Sequence, residues 1–232
     1  MVRAHRAIRR MHVVVLAVLL LANSSGTVAA WSQLRNNNPN DPRSCTNVSP
    51  WYCIRWPKTS SNLSTTQYVF LSSSLDRIYG VNMFADVRRT FERWNDVPAR
   101  NPHLEEIYST TLDDIYVRAG SPSQCGVNDY VYAVAYVYTA QDVNRISSAD
   151  ICFNADIGWN RDLDFSFRDT PEGYIQFADS RKVATHEMGH AEGLGHVSNA
   201  TSAAIMRQGP TSYFTVQTND VIGMQEVYGA YP

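Results

Sequence analysis

The eleven residues His186-Glu187-Met188-Gly189-His190-Ala191-Glu192-Gly193-Leu194-Gly195-His196 constrain this chain more than any other stretch. They read HExxHxxGxxH. His186 and His190 are four apart, and on an α-helix that spacing stacks two imidazoles on one face, near enough to grip one metal ion. Glu187 lies between them in sequence, turned aside, where it can act on a metal-held water. Gly193 can take a left-handed conformation without a Cβ penalty, so the helix can stop and the chain can turn. His196 then comes back as a third ligand. Three neutral nitrogens leave one position of a tetrahedral zinc open, which marks a catalytic rather than a closed structural site. A bare HExxH arises by chance in roughly one of a hundred chains of this length, and the added glycine and histidine lower that by about several hundredfold. An accidental match is therefore disfavoured.

The N-terminus reads as an export signal over residues 1–30. Arg3, Arg6, Arg9 and Arg10 precede the apolar run Met11 to Ala22, and Val28-Ala29-Ala30 offers a small-residue cleavage site. The run is too short to span a bilayer comfortably, so a secreted chain without stable membrane insertion is expected. Removing it takes four basic and no acidic side chains, which moves the formal charge from −2 to −6. No basic stripe is present, so nucleic acid is not an expected partner. Behind a signal, Cys45, Cys53, Cys125 and Cys152 favour two disulfides. Three pairings are open, of which Cys45–Cys53 with Cys125–Cys152 is preferred. The mature length of about 200 residues suits one domain with a proper core, and a monomer is expected. Asn47, Asn62 and Asn199 begin glycosylation sequons.

Along the chain, residues 31–54 read as a loop-rich segment, tethered by the Cys45–Cys53 bridge, before a domain over 55–232. Gln67 to Ser72, Asp114 to Ala119 and Ala149 to Asn154 read as strands, as does His103 to Tyr108. Val81 to Asp96 predicts an amphipathic helix with Phe84, Val87, Phe91 and Trp94 on one stripe. Tyr130 to Tyr138 alternates, with Tyr130, Tyr132, Tyr136 and Tyr138 on one face and Val131, Ala133, Ala135 and Val137 on the other. Its tyrosine face is open to two readings, a substrate-groove lining or an ordinary half-buried strand. Asp179 or Ser180 caps the histidine-bearing helix, whose core side is Val183, Ala184, Met188 and Ala191. A last helix runs from about Asn219 to Tyr228, stopped by Gly229. Strands and helices in mixed order imply an α+β domain, a twisted sheet with helices packed on it.

On these residues the chain resembles the metzincin clan of zinc peptidases, and within it the matrixins. Beyond the zinc motif the resemblance rests on Met206, ten residues after His196, and on Asn219-Asp220-Val221-Ile222-Gly223-Met224-Gln225-Glu226-Val227-Tyr228-Gly229. Arg55-Trp56, Phe91 to Trp94, Asp114-Ile115 and Asp150 to Asn154 add weaker matches. The resemblance implies a five-stranded mixed sheet, an active-site helix and a C-terminal helix. It implies that Tyr130–Tyr138 is an antiparallel edge strand to which substrate backbone adds. It implies that Met206 forms a turn beneath the zinc, and that Pro210 and Tyr213 form a pocket wall with altered spacing. A second, structural zinc is not expected, because no His-Gly-Asp loop lies between Arg118 and Tyr130. Calcium is unsupported: Asp162, Asp164, Asp169 and Glu172 read as a solvated surface. Asn40 to Cys45 is only distantly similar to the family's cysteine latency motif, and Cys53 is a ready disulfide partner instead.

The resulting expectation is a zinc endopeptidase. Zinc on His186, His190 and His196 acidifies a water, Glu187 takes its proton, and a peptide carbonyl is attacked. Two rivals are a zinc hydrolase of narrow non-peptide substrate and a zinc-bearing adhesion module without turnover. The second leaves Glu187, an acid beside an open zinc position, without a use.

Overall fold

Segments of alternating apolar residues assemble into a main six-stranded sheet with helices packed against it. The computed structural model describes residues 13–17, 55–56, 66–99, 101–111, 113–139, 146–161, 166–170, 173–197, 203–207 and 212–229. Cys45, Cys53, Pro210, Asp162, Asp164, Glu172 and the three sequons lie outside them. Strands β1 (Val13–Ala17), β2 (Thr66–Leu71), β3 (His103–Ile107), β4 (Ile115–Gly120), β5 (Ala133–Thr139) and β6 (Ile146–Asn154) form a mixed sheet in the order β1-β5-β6-β4-β2-β3. The expected five strands are β2 to β6. The pairs β2–β3, β2–β4 and β4–β6 are parallel, whereas β5 runs antiparallel to β6. The N-terminal β1 adds antiparallel to the free side of β5, with Leu16 opposite Ala135. A second sheet places β7 (Gly158–Asn160), β9 (Gly173–Asp179) and β8 (Ser166–Thr170) in the order β7-β9-β8. Sequence periodicity did not reveal it.

Four α-helices and one 3-10 helix (Ser73–Arg77) complete the described residues, the former being α1 (Met83–Asn95), α2 (Pro122–Cys125), α3 (Ser180–Ala191) and α4 (Thr218–Tyr228). The inner face of the sheet is set by the pleat: Ala133, Ala135 and Val137 face the core with their cross-strand partners Phe153, Ile151 and Ala149. The small residues of β5 let α3 lie close above it. α1 packs against α3, where Trp94 Nε1 donates to Thr185 O at 3.0 Å, and its buried residues are Met83, Asp86, Val87, Thr90, Phe91 and Trp94. The buried stripe therefore starts at Met83 rather than Phe84. Asn82 caps α1 by accepting from Ala85 N–H at 3.0 Å, and Phe84 sits at the rim beneath the Arg88 guanidinium. No helix among the described residues is long and apolar enough to cross a membrane.

The tyrosine alternation is shorter than its pattern implies. The strand begins at Ala133, Tyr130 lies outside it at 76% exposure, and Tyr132 is buried in the core. A turn closed by Val131 N–H to Asn128 O sends the chain inward there, and Asn154 Nδ2 holds the Val131 carbonyl at 3.0 Å. The remaining tyrosines face away from α3. Tyr136 lies opposite Asp150, which pairs with Arg118, and its hydroxyl donates to Cys125 O at 2.6 Å. The tyrosine side thus packs on the outer face with Cys125, Val134 and Cys152, not along the groove beside α3. Cys125 and Cys152 are joined, tying α2 to β6.

Candidate metal centre

α3 is started by its cap and stopped by its glycine. The Asp179 carboxylate accepts from the N–H groups of Arg181 and Lys182, satisfying donors that a first turn leaves free. Twelve residues on, the helix ends at Ala191, and Gly193 adopts φ 96°. That left-handed residue lets Leu194 N–H return to Gly189 O at 2.9 Å and brings His196 back over the helix. Val197 N–H then bonds Met206 O at 2.8 Å, which fastens the returning chain to the turn at Ile205-Met206.

The three histidines converge. His186 Nε2 lies 3.0 Å from His190 Nε2 and 3.1 Å from His196 Nε2, and the last two are 3.2 Å apart. These short distances are not hydrogen bonds between rings. His186 Nδ1 donates to Ile205 O and His190 Nδ1 to Leu194 O, each at 2.7 Å, which assigns the proton to Nδ1 and a lone pair to Nε2. Three lone pairs aimed at one point form a nest that a cation can fill. Tetrahedral zinc with nitrogens at about 2.1 Å places its donors about 3.4 Å apart, close to the spacing seen. Burial holds all three rings below the usual histidine range, His186 at about 4, His196 at about 3 and His190 well down, with neighbouring rings adding to the effect on His190 and His196. They are neutral at neutral pH, the form a metal needs. The set can hold one metal ion.

Glu187 occupies the turn between the first two histidines. It is buried, and its Oε2 has no hydrogen-bond partner. Burial pushes its carboxyl up to about 8, opposed by the backbone N–H of Ala135 on β5. A buried carboxyl with an unused oxygen, poised near neutrality, has the properties of a proton acceptor and donor.

Beneath the histidines Met206 is fully buried. Ile205 and Met206 are held by Asp220, whose carboxylate accepts their N–H groups at 2.8 and 3.1 Å and that of Gln217 at 2.7 Å. Asp220 was part of the C-terminal pattern, but nothing in the sequence showed that it reaches across to this turn. Gly189 stands at a variable position of the HExxHxxGxxH pattern, yet a Cβ there meets Met206 Sδ and comes within 2.7 Å of Trp94 Cζ2. Trp56 Nε1 holds Ala191 O at 2.9 Å, and the Tyr228 hydroxyl donates to Glu192 O at 2.7 Å, so both ends of the domain clasp the end of α3. Glu192 is buried with both carboxylate oxygens unbonded, and burial pushes its carboxyl well up. Tyr213 is half-buried on the stretch between Met206 and α4, and the ring of its neighbour Phe214 lies against the guanidiniums of Arg181 on α3 and Arg93 on α1.

Comparison with known proteins gives the same picture. The Metalloendoproteinase 2-MMP of Arabidopsis thaliana is 30% identical over 189 residues, which is 77% of this chain and 44% of that relative. The chain thus spans less than half the length of that relative. The Matrixin family matches residues 55–229, a stretch that holds the sheet, α3, the turn at Met206 and α4. The chain therefore belongs to the matrixin family of peptidases.

Proposed function

We propose that this chain is a secreted zinc-dependent endopeptidase, with an export signal over 1–30, a tethered loop segment over 31–54 and a catalytic domain over 55–232. The observation that carries it is the convergence of three Nε2 lone pairs on one point, with an orphaned, buried carboxyl on the intervening turn. His186, His190 and His196 hold the ion. A zinc ion there supplies Lewis acidity, acidifying a water and polarising a carbonyl.

The chain's own groups do the rest. The Ile205 and Leu194 carbonyls lock the tautomers of His186 and His190, so the ligand nitrogens need no rearrangement. Glu187 takes the proton of the attacking water and passes it to the leaving amine. Its raised proton affinity suits both halves of that relay. The outer backbone edge of β5 binds the substrate chain as an added antiparallel strand, the mode that β1 adopts there. Ala135 links the two functions, because its N–H lies beside Glu187. The protein or peptide substrate therefore lies across the base. Met206 supports the histidines from below, and Pro210 and Tyr213 belong to the wall beyond it.

The test is cleavage of a mixed peptide library by the purified chain, read by mass spectrometry. Products are expected with zinc and not with a chelator. Glu187→Ala is expected to retain one metal ion and lose at least about a hundredfold in turnover. Near-native turnover in that variant sinks the mechanism. Metal retention with no peptide cleaved by the native chain favours the adhesion module.

A further inference from the structure

Asn154, the last residue of β6, is fully buried, and every polar group it has is engaged. Its Nδ2 donates to the carbonyls of Val131 at 3.0 Å and Asp129 at 3.4 Å. Its Oδ1 accepts from Asp156 N–H at 2.9 Å. On the backbone, its N–H donates to Tyr132 O at 2.8 Å, and its carbonyl accepts from Trp159 Nε1 at 2.9 Å. Two donors on one nitrogen beside one acceptor are what an amide supplies. An ionised carboxyl of the same shape has no donor.

The turn held in this way leads into β5. Val131 N–H closes it on Asn128 O at 3.2 Å, and Val131 and Tyr132 are buried behind it. The chain runs inward until Ala133, where the strand begins. The outer edge of β5 therefore has a fixed end, and Asn154 fixes it from the neighbouring strand.

Register supplies the direction. β1 lies antiparallel on that edge, with Val13 opposite Tyr138 and Ala17 opposite Val134. A peptide bound in the same mode has its C-terminal residues beside Val134 and Ala133. The bond to be cut lies near Ala135, the residue beside Glu187. Residues after that bond thus have about two strand positions to pair with before the turn carries the backbone away. Those pairings are hydrogen bonds, which weaken steeply when donor and acceptor are misplaced. We infer that Asn154 is a positioning residue for the C-terminal half of the substrate: by fixing the turn from Asn128 to Tyr132, it sets the placement and the end of the backbone edge with which this half pairs. Substrate residues before the bond lie along Tyr136 to Tyr138, which pair with Asp150 to Ser148 further along β6 and do not depend on Asn154. This inference rests on the peptidase reading.

The test takes one library peptide that the chain cleaves and shortens it from either end. In the native chain, cutting back the residues after the bond to one is expected to lower kcat/KM about tenfold, the worth of one or two backbone hydrogen bonds. Asn154→Asp keeps the shape and the acceptor but turns an oxygen on the two carbonyls, and Asn154→Ala removes the amide. In both, that ratio is expected to fall to about two. Asn128→Ala acts at the exposed corner of the turn, where Oδ1 accepts from Tyr130 N–H at 3.3 Å, and is expected to lower the ratio partway. The ratio for shortening before the bond is expected to stay native in all three variants. Each ratio is taken within one preparation, so the folded fraction cancels and lost stability alone moves neither. Unchanged ratios on both sides, or equal falls on both sides, overturn the inference and leave the peptidase reading intact. If the native chain cleaves no peptide, the peptidase reading fails by itself. The two ratios are then read from binding of the tightest library peptide and its shortened forms, by fluorescence anisotropy, and the same pattern decides.

Discussion

At the scale of single residues, the site depends on two positions that bind no metal. Gly189 lies where α3 meets both Trp94 of α1 and the Met206 side chain. Gly189→Ala is therefore expected to cost about 1–3 kcal/mol by overpacking, despite alanine's better helix propensity. It should also displace Met206 and weaken metal retention, which urea unfolding and metal titration measure separately. Gain of stability would show that the contact relaxes freely. Asp220 is the second. Burial pushes its carboxyl up to about 6 while the three N–H groups pull it down. In the unfolded chain its pKa is about 3.9. Between about pH 4 and 6 the folded chain keeps a proton that the unfolded chain has released, so this group's contribution falls as pH rises through that window and is level above it. Asp220→Asn is expected to remove that slope. It also leaves at least one N–H of the Met206 turn without an acceptor, at a cost of about 1–3 kcal/mol. Urea midpoints of both proteins from pH 4 to 7 check this; parallel curves would place the titration elsewhere.

At the scale of elements, the zinc helix is fixed from every side, while the sheet's far face is fixed by the disulfide. Cys125–Cys152 closes a separation of 27 residues and holds α2 over the outer ends of β4 and β6. Closing a loop of that length is worth about 3–4 kcal/mol in the chain-entropy account. The paired substitution of both cysteines by serine is expected to lower the melting temperature by roughly 10 °C. Metal stoichiometry should not change, because the bond lies on the opposite face of the sheet from α3. A variant that lost its metal would show that strain passes through β5 and Ala135 to the site. Element order was legible beforehand for physical reasons: β2, β4, β6 and α1 present an apolar period of 2 or 3.6 to the core, α3 is marked by its histidine spacing and its cap, and α4 by the glycine that stops it. The strands β7, β8 and β9 were not, since Gly158–Asn160 is too short to show a period and Asp169 of β8 reads with Asp162, Asp164 and Glu172 as a solvated surface. Tyr130 and Tyr132 extended the β5 pattern falsely, because alternation continues through a turn that the backbone, not the side chains, imposes.

At the scale of the molecule, the metal centre and the fold are one cooperative unit. The ligand histidines were readable because their spacing is local. Their supports were not, because they come from distant parts of the chain: Trp56 from the start of the domain, Trp94 from α1, Ala135 from β5, Asp220 and Tyr228 from α4. Sequence separation hides such contacts, and only the folded chain assembles the site. Metal binding must then stabilise the whole domain. The unfolded chain has no converged Nε2 atoms, so an ion that binds the folded state adds RT ln(1 + [M]/Kd), about 4 kcal/mol at a thousandfold excess over Kd. For a chain of this size that is a rise of about 10 °C in melting temperature. Zinc added to chelated protein is expected to produce that rise in the native chain and equally in Glu187→Ala, whose ligands are intact. His190→Ala is expected to show little rise at the same zinc concentration, whatever its starting stability. A rise in His190→Ala as large as the native one would place the stabilising ion elsewhere, and the converged histidines would lose their role as the centre of the fold.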